Sequence, residues 1–219
     1  MARILITSGP TRQFLDPVRY LTNASSGRMG AALAQAAIEA GHEVIVVTGP
    51  VTVVYPQAAS VVSVVTTDEM LQTVLRLFPS CNGMIGAAAP CDYMPRRVHP
   101  EKIAKSGQPL ALELIETPDI VATAAQSKRP DQWVVGFALE TEDVRFRAIA
   151  KMEAKCCDCI VSNDASAIDA EENSVEILAR DGRTLGRAAG PKIEVARVIL
   201  RSLEPLIADA SPPLPSPHL

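Results

Sequence analysis

The chain has 219 residues, of which 47% are hydrophobic and 21% are charged, and these fractions exclude a disordered protein or a coiled coil. A formal net charge of −4 and only 4% aromatic residues argue against a basic or base-stacking nucleic-acid surface. No apolar run reaches the roughly 18 residues that a membrane span needs, and five cysteines, an odd number, fit reduced thiols in the cytoplasm.

The first half of the chain alternates predicted strands and helices. Branched apolar runs that end at glycine or proline are typical of buried parallel strands, and Ala-rich runs with apolar residues at helical spacing are typical of helices. Thr66 and Glu69 match a capping box at the start of the second helix. These signals predict strands over residues 3–8, 44–47, 60–65 and 84–88, and helices over 25–40 and 66–77.

The second half continues the alternation after a long polar loop at 89–110. Thr117-Pro118-Asp119 predicts a helix N-cap with proline at the first helical position, and Asp181-Gly182 predicts a β-hairpin after residues 175–178. Pro205 predicts the end of the last helix, which starts near Lys192. The remaining predicted elements are strands over 112–115, 133–139 and 160–162 and a helix over 142–156.

The order of these elements predicts an α/β fold: a Rossmann-like, doubly wound, mainly parallel sheet with a C-terminal β-hairpin and a long substrate loop. One domain is expected over residues 1–208, followed by a Pro-rich disordered tail over 209–219. Right-handed crossovers bring the loops after the strands to one edge of the sheet. The loops at 9–26, 89–110 and 115–118 are therefore expected to converge there.

Three features indicate that this edge binds anions. Ser25-Ser26-Gly27-Arg28 opens a helix, where free N–H groups and the helix dipole favour a phosphate, although an ordinary Ser N-cap explains these four residues equally well. The loop 89–110 carries an excess of cations in an acidic protein. The helix over 142–156 places a basic stripe on one face. The cations in question are Arg96, Arg97, Lys102 and Lys105 in the loop, and Arg147, Lys151 and Lys155 in the stripe.

Other common chemistries lack their motifs. The sequence contains no P-loop, no complete dinucleotide fingerprint and no Gly-x-Ser-x-Gly elbow, and its histidines and cysteines lack metal-ligand spacing. The anion-binding features then imply a phosphorylated substrate and a second phosphorylated ligand, with activation by a nucleotide rather than by a protein nucleophile.

Ordered motifs over residues 4–164 resemble the phosphopantothenoylcysteine synthetase (phosphopantothenate–cysteine ligase) family, in many bacteria the C-terminal half of a fused coenzyme A biosynthesis flavoprotein. The motifs that carry the resemblance are Thr7-Ser8-Gly9-Pro10-Thr11-Arg12, Asp16-Pro17-Val18-Arg19-Tyr20-Leu21-Thr22-Asn23, Ser25-Ser26-Gly27-Arg28-Met29-Gly30, Ala88-Ala89-Pro90-Cys91-Asp92-Tyr93, Lys102-Ile103-Ala104-Lys105, Thr117-Pro118-Asp119-Ile120, Gly136-Phe137-Ala138-Leu139-Glu140-Thr141 and Ile160-Val161-Ser162-Asn163-Asp164.

The resemblance implies a two-step reaction. The carboxylate of 4′-phosphopantothenate attacks the α-phosphate of CTP, which gives an acyl-cytidylate and pyrophosphate, and the amine of L-cysteine then displaces CMP. The resemblance implies that Asn23 and Lys102 are catalytic and that Arg19, Ser25, Ser26 and Gly27 bind phosphopantothenate. The positions it implies for nucleotide binding are Gly86, Ala87, Ala88, Asp92, Lys102, Ile115, Glu116, Thr117, Pro118, Phe137, Lys151 and Lys155.

The resemblance also implies Mg²⁺ bound with the triphosphate of CTP, no metal held by the protein itself and a homodimer. No flavin is expected in this chain, so decarboxylase activity would come from a separate phosphopantothenoylcysteine decarboxylase flavoprotein. The chain departs from the family pattern at Pro90, Cys91, Met94 and Ala104, and residues 165–174 lack a usual Phe.

Three questions stay open at this point. CTP and ATP carry the same triphosphate, so the sequence leaves the choice between them undecided. A NAD(P)-dependent Rossmann-type oxidoreductase is an alternative from another class, although no Tyr-x-x-x-Lys pair supports it. A non-catalytic subunit that docks on a flavoprotein is the third interpretation, and Asn23 and Lys102 argue against it.

Overall fold

A computed structural model describes residues 1–140, 143–164 and 172–210. It contains strands and helices in an alternating order, as the sequence predicts. The strands are β1 (Arg3–Ser8), β2 (Arg12–Phe14), β3 (Tyr20–Thr22), β4 (Glu43–Thr48), β5 (Ser60–Ser63), β6 (Gly83–Gly86), β7 (Tyr93–Pro95), β8 (Leu114–Glu116), β9 (Trp133–Glu140), β10 (Cys159–Asp164), β11 (Glu172–Ala179) and β12 (Thr184–Pro191). The helices are α1 (Arg28–Glu39), α2 (Thr67–Leu77), α3 (Ile120–Ser127), α4 (Val144–Ala154) and α5 (Lys192–Ala208).

The central sheet has the strand order β12-β11-β10-β9-β6-β1-β4-β5. Its strands from β10 to β5 are parallel, and β11 and β12 add an antiparallel hairpin at one edge. Taken in chain order, the six parallel strands have the doubly wound order 3-2-1-4-5-6, which reverses between β1 and β6. The predicted fold class, including its C-terminal hairpin, is confirmed.

Two helical layers cover the sheet. Ile4 and Ile6 of β1 pack with α1 and α5 on one face, whereas Leu5 packs with α2, α3 and α4 on the other. Successive side chains of a strand point to opposite faces, so one apolar run supplies both cores. The sheet therefore separates an α1–α5 layer from an α2–α3–α4 layer, and the site lies at the carboxyl edge of the sheet.

The capping box predicted for α2 is confirmed. The Thr66 hydroxyl accepts a hydrogen bond from the Glu69 N–H at 3.1 Å, and the Glu69 carboxylate accepts one from the Thr66 N–H at 3.3 Å. A cap of this kind contributes about 1 kcal/mol to helix stability. The helix ends at Leu77, as predicted.

Both long loops contain short strands that the sequence analysis did not predict. Strands β2 and β3 form an antiparallel hairpin within residues 9–26. Strand β7 lies within the predicted polar loop 89–110 and pairs with β8 from Tyr93–Glu116 to Pro95–Leu114. Strands of three residues are too short for an alternating pattern to indicate them, and each is fixed by its partner strand.

The helix-end signals assigned to Thr117 and Pro205 are wrong, and the predicted helices over 25–40 and 142–156 are each shorter in the structure. Asp119, rather than Thr117, is the N-cap of α3, because its carboxylate accepts a hydrogen bond from the Ala122 N–H at 2.9 Å. Pro205 lies inside α5, which continues to Ala208. Proline in a helix costs about 3 kcal/mol, but Leu206 and Ile207 pack against the core, and their burial offsets that cost.

Of the predicted tail over 209–219, residues 211–219 lie outside the described residues, and residues 209 and 210 follow α5 directly. Within the described ranges, no helix is both long and apolar enough to cross a lipid bilayer.

Candidate active site

A cavity of about 640 Å³ opens at the carboxyl edge of the sheet, where the strand order reverses between β1 and β6. Ligands of doubly wound folds bind at this position. Its lining comprises Thr7, Asn23, Ala24, Ser25, Ser26, Gly27, Arg28, Met29, Gly30, Gly86, Ala87, Ala88, Ala89, Pro90, Cys91, Asp92, Tyr93, Glu116, Thr117, Pro118, Asp119, Ile120, Val121, Phe137, Ala138, Leu139, Lys151, Lys155, Asn163, Asn173 and Lys192. Parts of the loops 9–26, 89–110 and 115–118 thus converge.

The start of α1 forms one wall. Gly27 is the N-cap, with φ 74°, and no side chain caps the first turn, so an ordinary Ser N-cap is not what the sequence builds here. Gly30 approaches strand β1 so closely that a Cβ atom would lie 2.1 Å from Ser8 Oγ. First-turn N–H groups without a side-chain cap attract anions.

A chain of hydroxyl groups supports this wall from behind. Ser8 Oγ donates to the Gly27 carbonyl at 3.2 Å and accepts from the Tyr55 hydroxyl at 2.9 Å. The Tyr55 hydroxyl lies 2.7 Å from the Thr48 hydroxyl. Strands β1 and β4 thereby fix the left-handed turn at Gly27.

The end of β6 forms the floor of the cavity from small residues. A Cβ atom on Gly86 would lie 2.5 Å from Val121 Cγ2, so this position requires glycine. The Asn23 side chain donates from Nδ2 to the Pro90 carbonyl at 2.9 Å, which ties the end of the first loop to the segment after β6. An amide nitrogen has two N–H groups, so Asn23 retains donor capacity beyond this bond.

Buried hydroxyl groups hold the segment that leads to Asp92. The Thr117 hydroxyl donates to the Cys91 carbonyl at 2.6 Å, and the Thr11 hydroxyl accepts from the Cys91 N–H at 2.9 Å. The Thr117 N–H donates to the Asp92 carbonyl at 2.9 Å. Thr117 therefore links two loops by hydrogen bonds. Because its hydroxyl is engaged with the Cys91 carbonyl, the cap of α3 is Asp119 instead.

The wall on the α3–α4 side is basic. Lys151 and Lys155 of the predicted stripe line the cavity, whereas Arg147 does not. Lys155 Nζ lies 2.8 Å from Asp119 Oδ2. Partial burial alone would raise the pKa of Asp119, but the hydrogen bond from Ala122 N–H and the Lys155 ammonium outweigh it, and the pKa is lowered.

Three residues of the predicted site do not line the cavity: Arg19, Lys102 and Ile115. Arg19 donates from Nη2 to the Ile103 carbonyl at 2.9 Å, next to the exposed Lys102. Ile115 lies in strand β8, one residue before the lining begins. Nor does the lining include the other loop cations, Arg96, Arg97 and Lys105.

The buried Asp16 holds the segment around Lys102 in place. Its carboxylate accepts hydrogen bonds from the N–H groups of Val18 and Arg19 at 2.8 Å and of Ile103 at 3.1 Å, and it pairs with the Arg19 guanidinium at 3.3 Å. Desolvation alone would raise the pKa of Asp16, but these hydrogen bonds and the Arg19 charge lower it. Arg19 and Lys102 thus belong to one connected unit beside the cavity.

The lining also includes polar residues that sequence reasoning did not assign. Asp119, Asn163, Asn173 and Lys192 face the cavity from four different elements. Asp119 and Asn163 lie in motifs that carry the family resemblance, and Lys192 stands at a predicted helix start, but none of these positions indicates a role at the site. Asn173 lies between Glu172 and Ser174 and carries no comparable signal.

Comparisons with known proteins agree with this architecture. Residues 1–206 match the family described as "DNA/pantothenate metabolism flavoprotein C-terminal domain". The chain belongs to this family. It is 37% identical over 208 residues to the coenzyme A biosynthesis bifunctional protein CoaBC of Bacillus subtilis (93% of this chain, 51% of that protein), and 41% identical over 186 residues to CoaBC of Escherichia coli K12 (82% and 46%). The chain therefore spans about half the length of these relatives.

A solved structure of the C-terminal domain of CoaBC superposes with a TM-score of 0.79 at 37% identity and covers 94% of this chain and 96% of that one. A DNA/pantothenate metabolism flavoprotein from Streptococcus pneumoniae has a TM-score of 0.81 at 22% identity, covering 94% and 99%. The second comparison shows the fold alone.

Proposed function

We propose that this protein is a phosphopantothenate–cysteine ligase of coenzyme A biosynthesis that joins 4′-phosphopantothenate and L-cysteine through an acyl-cytidylate made from CTP. The observation that carries the proposal is one cavity with an anion-attracting helix start on one side, two lysines on the other and the Asn23 amide between them. Membership of the family and the CoaBC relatives support the same pathway.

The first step activates a carboxylate. An oxygen of the phosphopantothenate carboxylate forms a bond to the α-phosphorus of CTP, the bond to the bridging oxygen breaks, and pyrophosphate leaves. Ser25, Ser26 and Gly27 bind the phosphate of phosphopantothenate at the start of α1. On the opposite side, Lys151 and Lys155 attract the nucleotide, and Lys102 stabilises the negative charge that develops on the triphosphate.

The second step forms the amide. The amine of cysteine attacks the acyl carbonyl carbon, the bond to the phosphate oxygen breaks, CMP leaves and the amine loses a proton. Asn23 donates a hydrogen bond to the carbonyl oxygen as negative charge develops on it. The small residues Gly86, Ala87 and Ala88 let the reacting groups approach the backbone of β6 closely.

Magnesium enters with the triphosphate. Mg²⁺ in such sites is held by one or two carboxylates together with phosphate oxygens and water. Asp92 and Glu116 line the cavity from neighbouring segments and fit this donor set, and within the described ranges no cluster of three or more metal-ligating side chains supplies an all-protein site. The ion would neutralise phosphate charge.

A homodimer accounts for two of the predicted site residues that do not line the cavity, Arg19 and Lys102. Arg19 and Lys102 belong to one unit, and Val18, Tyr20 and Tyr93 on the nearby hairpins are exposed apolar or aromatic residues. A second copy that covers these hairpins would bring the basic unit of one protomer to the cavity of the other. The family relationship further supports a cytoplasmic protein that works with a phosphopantothenoylcysteine decarboxylase flavoprotein.

The dimer is tested by mixing two inactive variants, Asn23→Ala and Lys102→Gln. If each site takes Asn23 from one protomer and Lys102 from the other, half of the randomly mixed dimers have one intact site, and about a quarter of wild-type activity returns. No recovery after mixing would place both residues in one protomer.

The activity is tested by a pyrophosphate-release assay with phosphopantothenate and each nucleotide in turn, with and without cysteine. Pyrophosphate release with CTP before cysteine is added, followed by adduct formation after it, is the expected result. Faster pyrophosphate release with ATP than with CTP would assign ATP as the nucleotide substrate. Absence of release with every nucleotide, together with tight saturable NADPH binding, would favour the oxidoreductase alternative.

A further inference from the structure

Asn163, Asn173 and Lys192 form a polar corner of the cavity at the antiparallel end of the sheet. Asn163 lies near the end of β10, Asn173 near the start of β11, and Lys192 is the first residue of α5. Asn173 pairs in register with Gly190, two residues before Lys192, so β11 and β12 bring these residues together.

Two acceptors in this corner lack hydrogen bonds within the described part of the chain. Oδ1 of Asn163 and Oδ1 of Asn173 are buried atoms without a partner among the described residues, and the Asn173 residue is only 5% exposed. Buried polar atoms are almost always hydrogen-bonded, so two such oxygens facing one cavity indicate a ligand that supplies donors. Ionised phosphate and carboxylate groups offer only acceptors, which leaves hydroxyl or N–H groups of the ligand.

The corner lies on the α1–α5 face of the sheet. Val161 and Val175 pack into the core on that face, and side chains two residues apart in a strand share a face, which places Asn163 and Asn173 there too. The start of α1 lies in the same layer. Lys151 lies in α4, which covers the opposite face, and Lys155 is the C-cap of that helix. The corner therefore lies on the same face as the proposed phosphopantothenate wall and on the other face from the two lysines, and Phe137 packs on the corner's face too.

Resting on the proposed function, we propose that Asn163, Asn173 and Lys192 form the subsite for the pantoyl part of 4′-phosphopantothenate. The Oδ1 atoms of the two asparagines accept hydrogen bonds from its hydroxyl group and its amide N–H. Lys192, at the positive start of a 17-residue helix without a side-chain cap, attracts the phosphate toward the same layer as the start of α1.

The test compares the KM values of wild-type protein and Asn173→Leu, which keeps the side-chain size and removes both polar atoms. The KM for phosphopantothenate is expected to rise roughly 10- to 100-fold, while the KM for CTP changes less than about twofold. A phosphopantothenate analogue without the pantoyl hydroxyl should bind the wild-type protein more weakly, and the variant should lose no further affinity when that hydroxyl is absent.

Ser162→Ala is the matched control. Ser162 Oγ is also buried and without a partner, but it lies next to Asn163 in the strand, on the opposite face and outside the cavity lining. Both KM values are expected to stay at their wild-type levels in this variant. If Asn173→Leu does not fold by circular dichroism, Asn163→Ala takes its place with the same expected pattern.

A rise in the KM for CTP with an unchanged KM for phosphopantothenate would overturn the subsite and assign the corner to the nucleotide. An unchanged pair of KM values in a folded variant would overturn it as well. Failure of the proposed function is distinguishable, because the wild-type protein itself would then release no pyrophosphate.

Discussion

The cavity lining and the unit that carries Arg19 and Lys102 are held in the fold by different means. Strand ends such as Gly86 and Phe137 are fixed by the hydrogen-bond ladders of the parallel sheet. The segment at Lys102 is instead fixed through Ile103, by one carboxylate and one guanidinium. Under the proposed function, the lining recognises the substrates, and the second unit delivers a charge once they are bound.

Lys102→Gln should give the largest effect and tests whether the second unit is catalytic. The exposed side chain contributes little to stability, so the melting temperature should stay unchanged. Pyrophosphate release should fall by roughly 10²- to 10³-fold, as expected when one charge-stabilising donor is lost. Lys105→Gln, in the same loop, is the control with near wild-type rates. Normal release in the Lys102 variant would remove this residue from the first step.

Asp16→Asn tests the tether itself. Oδ1 of the new side chain still accepts from the N–H groups of Val18 and Arg19, but an NH₂ group then faces the Ile103 N–H. The first-step rate should fall about 10- to 100-fold through misplacement of Lys102, with faster amide hydrogen exchange at Ile103. Asp181→Asn, at a comparable turn outside the cavity lining, should leave both unchanged. A normal rate would mean that the tether does not position Lys102.

Acid should mimic this substitution. The pKa of Asp16 in the folded protein lies below its ordinary value of 3.8, so the carboxylate binds fewer protons folded than unfolded. Its stabilising contribution is therefore complete above that ordinary value and is lost as the pH falls through the lowered pKa. Hydrogen exchange at Ile103, corrected for intrinsic rates, should accelerate only below about pH 4. Acceleration already near neutral pH would contradict the assignment.

Asp119→Asn tests a contact within the lining. The amide oxygen can still cap α3 through the Ala122 N–H, whereas the pairing with Lys155 is lost. We expect the KM for CTP to rise about 3- to 10-fold, because a partly exposed pair that orders one lysine is worth of order 1 kcal/mol. Asp131→Asn breaks an ion pair with Arg129 outside the lining and should leave this KM unchanged. A lower KM would instead show that Asp119 competes with the nucleotide for Lys155.

Cys91→Ala should have the smallest effect. Among the described residues, its thiol makes two weak hydrogen bonds, at 3.4 Å to the Thr11 carbonyl and 3.5 Å to the Leu21 carbonyl. Burial raises the pKa of this thiol, so the unreactive thiol form dominates at neutral pH. Turnover should stay within about twofold, with a loss of about 1 kcal/mol in unfolding free energy measured by denaturation. A large loss of turnover would give the thiol a role in the reaction.

The sequence predicts the part of the molecule that local patterns determine. The Thr66–Glu69 capping box and the helix opening at Gly27 are local signals, and the structure contains both. The role of Thr117 is not local. Thr-Pro-Asp offers two residues that can cap a helix, and the choice of Asp119 depends on the Cys91 carbonyl, which accepts from the Thr117 hydroxyl 26 residues away in the chain.

The polar corner escaped prediction for a similar reason. Asn163 follows Ser162 near the end of β10, Asn173 precedes Ser174 near the start of β11, and the antiparallel pairing of these strands brings both asparagines to one cavity. In contrast, Lys151 and Lys155 were recognisable because their spacing repeats along a single helix. Two residues of one helix that face the same site can be predicted from their spacing in the sequence. Two residues on different strands can be placed together only when the pairing register of the strands is known.

The hydroxyl chain from Thr48 through Tyr55 and Ser8 to the Gly27 carbonyl has a consequence for affinity. These hydrogen bonds hold the turn at the start of α1 in the folded protein, so the phosphate of the proposed substrate would not have to order it on binding. The entropy loss of ordering this loop therefore occurs when the protein folds, and it does not weaken ligand binding. Tyr55, which lies outside the cavity lining, is for this reason a residue through which affinity can be altered without any change to the surface that the ligand meets.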